Sequence, residues 1–293
     1  MEKRLNFDFF QVVMPDVEPR TFETVIDEIT SLDGAAATYD NGEYHVRLVG
    51  IKQQQGYYLG DIARIRMNDI PDKMRLSGER EALNLEDDQG LGEIASFIYN
   101  TQLRALVLMR NRFAVTASGF ANYFQNLGRV QGAISFEHIL EADAYQRLAR
   151  MNIAHKVELG IAAPGNGAIF DELGLRPQTL AELINAAPKV RMDFAISMDR
   201  DRSGSLPLRA LQNMITTFRR DHAGELVSLI VSGKENPEQR LDIVDMLEEV
   251  MTDKEPVILQ RNQRTIADHQ RHFAIEQVYQ RKLPVLNRIL REA

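Results

Sequence analysis

The chain has 293 residues, and 42 acidic against 35 basic side chains give it a formal charge of −7. Its apolar share of 44% is ordinary for a protein that folds around a core. The absence of cysteine excludes disulfides, thiol catalysis and Cys-ligated metals. No run of about 18 apolar residues occurs, so we expect no membrane span. The first residues lack the apolar stretch of a secretory signal, which favours a cytoplasmic protein.

Hydrophobic spacing in the first part of the chain predicts alternating strands and helices. Leu5–Met14 favour a strand, and Thr21–Leu32 favour a helix with apolar residues on one side. Two alternating segments, Glu43–Gly50 and Tyr57–Met67, predict a pair of antiparallel strands. The polar, acidic segment 68–92 is typical of a loop or lid.

The middle of the chain contains the most apolar segments. Ile94–Tyr99 and Leu103–Met109 predict two strands, and the second is continuous enough to be buried on both faces. Ser118–Leu127 places its aromatic residues at helical spacing and predicts an amphipathic helix.

The chain ends in two predicted helices. One opens at Asn236–Pro237 and reaches Met251, and the other spans Ile266–Leu290 with Pro284 as a kink or break. The residues of the terminal helix predicted to face inward are Phe273, Val278, Leu283, Leu286 and Leu290.

Strands followed by helices without a regular βαβ rhythm favour an α+β fold. We expect mixed, largely antiparallel sheets with packed helices and a long C-terminal helix. The turn Pro164–Gly167 is the best candidate for a hinge. The predicted domains are therefore an N-terminal α+β lobe over residues 1–163 and a C-terminal α+β lobe over residues 168–293.

Charge is unevenly distributed along the chain. Residues 1–100 hold 10 basic and 19 acidic side chains, whereas residues 101–150 hold 6 and 3, and residues 251–293 hold 8 and 5. An acidic protein can still present a cationic surface if its two positive segments meet in space. Arginine and lysine that gather in this way suit phosphate groups.

Ten basic residues of these two segments are the candidate phosphate contacts. They are Arg110, Arg112, Arg129, Arg261, Arg264, Arg271, His272, Arg281, Lys282 and Arg288.

No motif for catalysis or for a cofactor stands out. The chain lacks the G-x-G-x-x-G, P-loop, G-x-S-x-G and H-E-x-x-H patterns, which would signal a dinucleotide, a nucleotide, a serine nucleophile or a zinc ion. We therefore expect no cofactor, no metal site and no catalytic residue. A binding protein is favoured over an enzyme.

The order of segments resembles that of the RexA-type abortive-infection proteins of temperate phages and their bacterial relatives. The likeness rests on the turn Asp87–Gly92, which leads into Ser96–Tyr99, and on the apolar strand and Phe120–Leu127 helix that follow. A long, charged C-terminal helix completes it. The resemblance implies a non-enzymatic, two-lobed α+β protein that forms a homodimer, binds duplex DNA without strong sequence preference and defends the host against phage.

Two other functions remain open. One is a metal-dependent nuclease of a defence system, although no carboxylate pair stands at a diagnostic spacing. The other is a protein–protein interaction module that docks a partner through the acidic N-terminal region, residues 1–100.

Overall fold

The computed structural model describes residues 2–162, 191–198, 205–207 and 226–291. Its helices are α1 Phe22–Thr30, α2 Ala117–Leu127, α3 Ala142–Arg150 and α4 Asp268–Arg291, with a 3-10 turn at Gly34–Ala37. Its strands are β1 Glu2–Val13, β2 Thr38–Asp40, β3 His45–Gln54, β4 Tyr57–Arg66, β5 Lys73–Met74, β6 Arg80–Glu81, β7 Leu91–Asn100, β8 Ala105–Arg110, β9 Ser135–His138, β10 Ile153–Ala162, β11 Arg191–Ser197, β12 Leu226–Lys234, β13 Asp242–Asp245 and β14 Thr252–Ile258. The predicted α+β class is confirmed.

The larger sheet has the order β14-β1-β8-β7-β4-β3-β2, and β9 adds to the second half of β1. As predicted, Ala105–Met109 of β8 are buried throughout. Successive strand residues point to opposite faces. Phe97 of β7 packs on Phe120 of α2, with ring centroids 4.9 Å apart, whereas Asn100 Nδ2 donates to Tyr279 Oη of α4 at 2.6 Å. The sheet thus lies between α2 on one face and α4 on the other.

The chain divides into two compact units, residues 1–138 with 252–293 and residues 139–251. The second unit contains a sheet of order β11-β10-β12-β13. This division differs from the predicted lobes 1–163 and 168–293. Pairing of β14 with β1 returns the C-terminal segment to the first unit, and β10 pairs with β11 and β12 of the second. The predicted hinge at 164–167 lies outside the described residues.

The predicted helix over 236–251 is wrong. Asp242–Asp245 form a strand that pairs antiparallel with β12, with Val244 opposite Val231. Val244 is fully buried, whereas Ile243 beside it is about half exposed. Such alternation belongs to a strand. The apolar residues of the 236–251 segment also fit helical spacing. Pairing with the neighbouring strand β12 makes Asp242–Asp245 a strand instead.

The predicted terminal helix is confirmed, and it continues through Pro284. The prediction that Phe273 faces inward is wrong, because its side chain is 62% exposed. Arg271, Ala274 and Ile275 take the inward positions instead. No helix among the described residues is long and apolar enough to cross a membrane.

A clamp around Glu18 joins the β1–α1 connection to the turn between α2 and β9. Arg20 donates to both carboxylate oxygens of Glu18, at 2.8 and 3.0 Å, and the Gln131 N–H adds a bond of 2.9 Å. The hydrogen bond from Arg20, followed by that from Gln131, lowers the pKa of Glu18 from an ordinary value near 4.5 to about 2. The clamp therefore requires an ionised carboxylate.

We expect this clamp to contribute to acid sensitivity. Because the folded pKa of Glu18 lies below the unfolded one, its stabilisation is present above about pH 4.5 and is lost as the pH falls toward 2. Glu18→Gln should lower stability at neutral pH and flatten the dependence of unfolding free energy on pH in that window. Urea unfolding at several pH values measures both effects. The control is Glu43→Gln, an equal charge change at an exposed position; equal slopes for the two variants would contradict the account.

Candidate nucleic-acid interface

Two of the ten predicted phosphate contacts are arginines paired with carboxylates at the surface. Arg110 donates to both carboxylate oxygens of Asp8 on β1, with Nε 2.8 Å from Oδ2. Arg281 donates to Asp253 at 2.8 Å and to Glu255 at 3.0 Å, both on β14. These pairs neutralise the two guanidinium groups and leave them less available to an external phosphate.

Lys282 lies close enough to Asp253 to act on its titration. Burial would raise the pKa of Asp253, but the hydrogen bond from Arg281 and the charges of Arg281 and Lys282 hold it below its ordinary value. Lys282 is only partly exposed. The positive charges of Arg281 and Lys282 therefore act on the Asp253 carboxylate of the same unit.

Arg271 is buried inside the first unit rather than exposed for phosphate. Its side chain is 8% exposed, and Nη2 lies 3.3 Å from Asp61 and 2.8 Å from Asp268. Nη1 donates to the Ile266 carbonyl at 2.7 Å, and Nε donates to Ser96 Oγ at 3.2 Å. All three guanidinium nitrogens have partners, so Arg271 anchors α4 to the sheet.

His272 shares the same buried carboxylate. Its Nε2 lies 3.0 Å from Asp61 Oδ2, and Ser96 Oγ donates to Asp61 Oδ1. Burial acts to raise the pKa of Asp61, but the bonds from His272 and Ser96 and the Arg271 charge lower it overall. Ser96 Oγ donates to Asp61 and accepts from Arg271 Nε, and among the described contacts it has no hydrogen bond to His272. The cluster is therefore a network for packing α4 and lacks the relay of a nucleophilic triad.

The other five predicted arginines are exposed. None has a carboxylate within 4.0 Å in the described parts of the chain. They are Arg112, Arg129, Arg261, Arg264 and Arg288.

These exposed arginines lie at two ends of the large sheet. The register places Ile258 opposite Glu2 and Arg110 opposite Asn6, so β8 and β14 both end beside the first half of β1. Arg112 follows β8, and Arg261 and Arg264 follow β14. We call the end of the sheet marked by these three residues the arginine end. Arg129 follows α2 and precedes β9, which pairs with the last residues of β1. Arg288 is near Arg291, which contacts Gln102 in the β7–β8 turn at the opposite end.

A polar pocket of about 580 Å³ opens at the arginine end. Its lining residues come from the β14–α4 connection and the first turn of α4, and they are Gln260, Arg261, Asn262, Gln263, His269 and Gln270. Gln270 is fixed by donating to the Ile258 carbonyl at 3.0 Å. Most amide donors of this segment bond within it: Gln263 Nε2 donates to the Thr265 carbonyl at 2.8 Å, and the Gln270 N–H donates to the Ala267 carbonyl at 3.0 Å. Arg261 therefore supplies the pocket with an exposed guanidinium group.

The exposed charged donors at this end are guanidinium groups. Within residues 2–162, 191–198, 205–207 and 226–291, no group of three or more His, Asp or Glu side chains is spaced to hold a metal ion. Guanidinium and amide groups donate hydrogen bonds to phosphate oxygens without transferring a proton.

Sequence reasoning missed the partners of the paired cations. The carboxylate partners lie far along the chain or on another element, and no local spacing in the sequence indicated them. They are Asp8, Asp61, Asp253 and Glu255. The polar run Gln260–Gln263 was a usable signal for the pocket, because it brings side-chain amides and an arginine together in one connection.

We expect loss of the Arg271 side chain to destabilise the first unit. Arg271→Met leaves the Asp61 carboxylate buried without its guanidinium, and removing one member of a buried pair costs about 3–5 kcal/mol. Urea unfolding measures the change. Arg264→Met, which removes an exposed arginine seven residues earlier in the linking segment, should cost less than about 0.5 kcal/mol. A cost below about 1 kcal/mol for Arg271→Met would contradict the assigned role.

Comparison with known proteins identifies the family but no activity. No curated protein matches the chain. A family model described as "Family of unknown function (DUF6731)" matches residues 1–286, which takes in nearly all of the chain. That description names no ligand, reaction or partner. The chain belongs to this family.

Proposed function

We propose that the chain is a non-enzymatic phage-defence protein that forms a homodimer and binds duplex DNA without strong sequence preference. The DNA contacts are phosphate contacts of the arginine end. One observation carries the proposal: Arg112, Arg261 and Arg264 are exposed, have no carboxylate within 4.0 Å among the described residues, and follow strands that finish at the same end of the sheet.

The position of these arginines favours contacts that do not depend on sequence. They lie in connections that follow β8 and β14, so no helix carries them into a groove. Phosphate contacts fix the position of a protein on DNA but carry no base information. Binding by charge alone is strongly dependent on salt, because each contact releases condensed counterions.

The assignments to phage defence and to a homodimer depend on the resemblance to RexA-type proteins. Their test is biological. Cells that produce the chain should yield fewer plaques of an infecting phage than cells that produce Arg261→Gln/Arg264→Gln. Equal plaque numbers for both strains and an empty-vector strain would contradict the defence role.

The nuclease and the interaction module are each supported less well than DNA binding. A nuclease has no metal-ligand set in the described segments on which to build a mechanism. The interaction module has one favourable observation, an exposed hairpin at Lys73–Glu81 in the acidic N-terminal region.

The DNA proposal predicts that the position of an arginine affects duplex affinity more than the net charge of the protein does. Arg261→Gln/Arg264→Gln should weaken duplex binding at low salt at least about tenfold, and should reduce the slope of log affinity against log salt by about two. Fluorescence anisotropy with two duplexes of unrelated sequence measures both quantities. The two duplexes should bind the unaltered protein with about the same affinity.

The matched control is Arg129→Gln/Arg288→Gln, which removes the same charge from the opposite end of the sheet. It should change affinity by less than about twofold. Equal losses in both double variants, or no duplex binding at low salt by the unaltered chain, would overturn the proposal.

A further inference from the structure

The walls of the pocket at the arginine end are fixed by two glutamine side chains. Gln263 Nε2 donates to the Thr265 carbonyl at 2.8 Å, and Gln263 Oε1 accepts from the Gln260 N–H at 3.2 Å. Gln270 Nε2 donates to the Ile258 carbonyl at 3.0 Å, and the two glutamine side chains also bond to each other. The amide groups of Gln263 and Gln270 therefore hold the connection between β14 and α4 in one conformation.

The other four side chains that line the pocket are polar and exposed. In the part of the chain that the structure describes, none of the four has a hydrogen bond or an ion pair from its side chain. They are Gln260, Arg261, Asn262 and His269. The pocket thus combines fixed walls with two amides, a guanidinium group and an imidazole that are free to bind. A few placed polar groups of this kind orient a small ligand.

The charge of this connection favours an anionic ligand. Residues 259–267 contain Arg261 and Arg264 and no acidic side chain. The carboxylate that follows in sequence, Asp268, lies 2.8 Å from Arg271 Nη2, which offsets its charge. A guanidinium group binds phosphate oxygens through two parallel hydrogen bonds, a geometry that other cationic side chains do not offer. The anionic group that best fits Arg261 is therefore a phosphate.

The two free amides favour a ligand that carries a base as well as a phosphate. Each side-chain amide presents an acceptor oxygen and an NH₂ donor, and the edges of nucleobases present the complementary groups. The pocket volume of about 580 Å³ lies within the range of about 300–1,000 Å³ that holds small-molecule ligands. A nucleoside monophosphate supplies both kinds of group in one molecule.

We propose that this pocket binds a nucleoside monophosphate. Its phosphate accepts hydrogen bonds from Arg261 and His269. Its base edge pairs with the amides of Gln260 and Asn262. A free nucleotide and the phosphorylated terminal nucleotide of a DNA strand share this chemistry. A phosphate inside a continuous strand has a nucleotide on each side and reaches only the rim of the pocket, whereas a strand end can enter it.

A strand end in the pocket leaves the rest of the arginine end available to DNA. Arg112 and Arg264 do not line the pocket, so they can contact phosphates of the adjoining duplex. A terminal phosphate carries about −1.5 to −2 charges at pH 7, more than the single charge of a phosphodiester, and so attracts Arg261 more strongly. The inference rests on the proposed function where the nucleotide belongs to DNA, and it is independent of that function where the nucleotide is free.

Isothermal titration calorimetry with deoxyadenosine 5′-phosphate tests the pocket without DNA. The unaltered chain should bind this nucleotide at least about tenfold more tightly than inorganic phosphate or deoxyadenosine, because each of these lacks part of the contacts. Gln260→Ala/Asn262→Ala should remove that advantage. The Gln260 N–H that Gln263 accepts is retained in this variant, so the connection keeps its hydrogen bonds.

The matched control for the calorimetry is Asn122→Ala/Gln131→Ala. It truncates the same two residue types at exposed positions outside the pocket. Because neither side chain can reach a ligand in the pocket, this variant should bind the nucleotide as the unaltered chain does.

Fluorescence anisotropy with three duplexes of one sequence identifies the source of the nucleotide. One duplex has 5′-phosphate ends, one has 5′-hydroxyl ends, and one has its ends closed by hairpin loops. A preference of at least about tenfold for the phosphorylated ends supports a strand end as the ligand. Equal affinities for the three duplexes, together with binding of deoxyadenosine 5′-phosphate, support a free nucleotide.

Two results overturn the inference. One is an affinity for deoxyadenosine 5′-phosphate weaker than about 1 mM together with equal affinities for the three duplexes. The other is a loss of nucleotide binding in Asn122→Ala/Gln131→Ala as large as that in Gln260→Ala/Asn262→Ala. In either case, closed duplex that binds the unaltered chain and binds Arg261→Gln/Arg264→Gln more weakly leaves the DNA proposal intact. Nucleotide binding without any duplex binding at low salt supports the pocket and overturns the DNA proposal.

Discussion

The buried contact between Asp61 and Arg271 fixes where the terminal helix lies, and the proposed surface depends on that position. A charge is costly to remove from water unless it is paired and hydrogen-bonded. Here Ser96, His272 and Asp268 complete the bonds of the pair. The network forms at one register of α4 on the sheet, because shifting the helix by one residue would turn Arg271 away from Asp61.

This register decides which basic groups remain free. With Arg271 inward, Phe273 faces outward and the first turn of α4 lies at the arginine end beside Arg261 and Arg264. Carboxylates of β1 and β14 neutralise Arg110 and Arg281 farther along the same sheet. Three exposed arginines without a carboxylate within 4.0 Å among the described residues thus lie at one end of the sheet of an acidic chain, and local charge can differ in sign from the total.

Local patterns in the sequence were sufficient for most elements and insufficient for the site. The continuous apolar run of β8 and the spacing of α2 indicate burial directly. The 236–251 segment fits both periods, and only its pairing with β12 makes Asp242–Asp245 a strand. The partner of Arg271 lies 210 residues away in sequence, on β4. No single-sequence pattern reports such a contact, so five exposed arginines could not be told from the paired ones.

Hydrogen exchange of the full chain with and without duplex DNA tests the central claim most directly, because it locates the contact without any substitution. The account predicts slower exchange in residues 111–113 and 259–270 when DNA is added at low salt, and unchanged exchange around Arg129 and Arg288. Protection centred on Arg129 and Arg288, or no protection of residues 259–270 under conditions where DNA is bound, would contradict it.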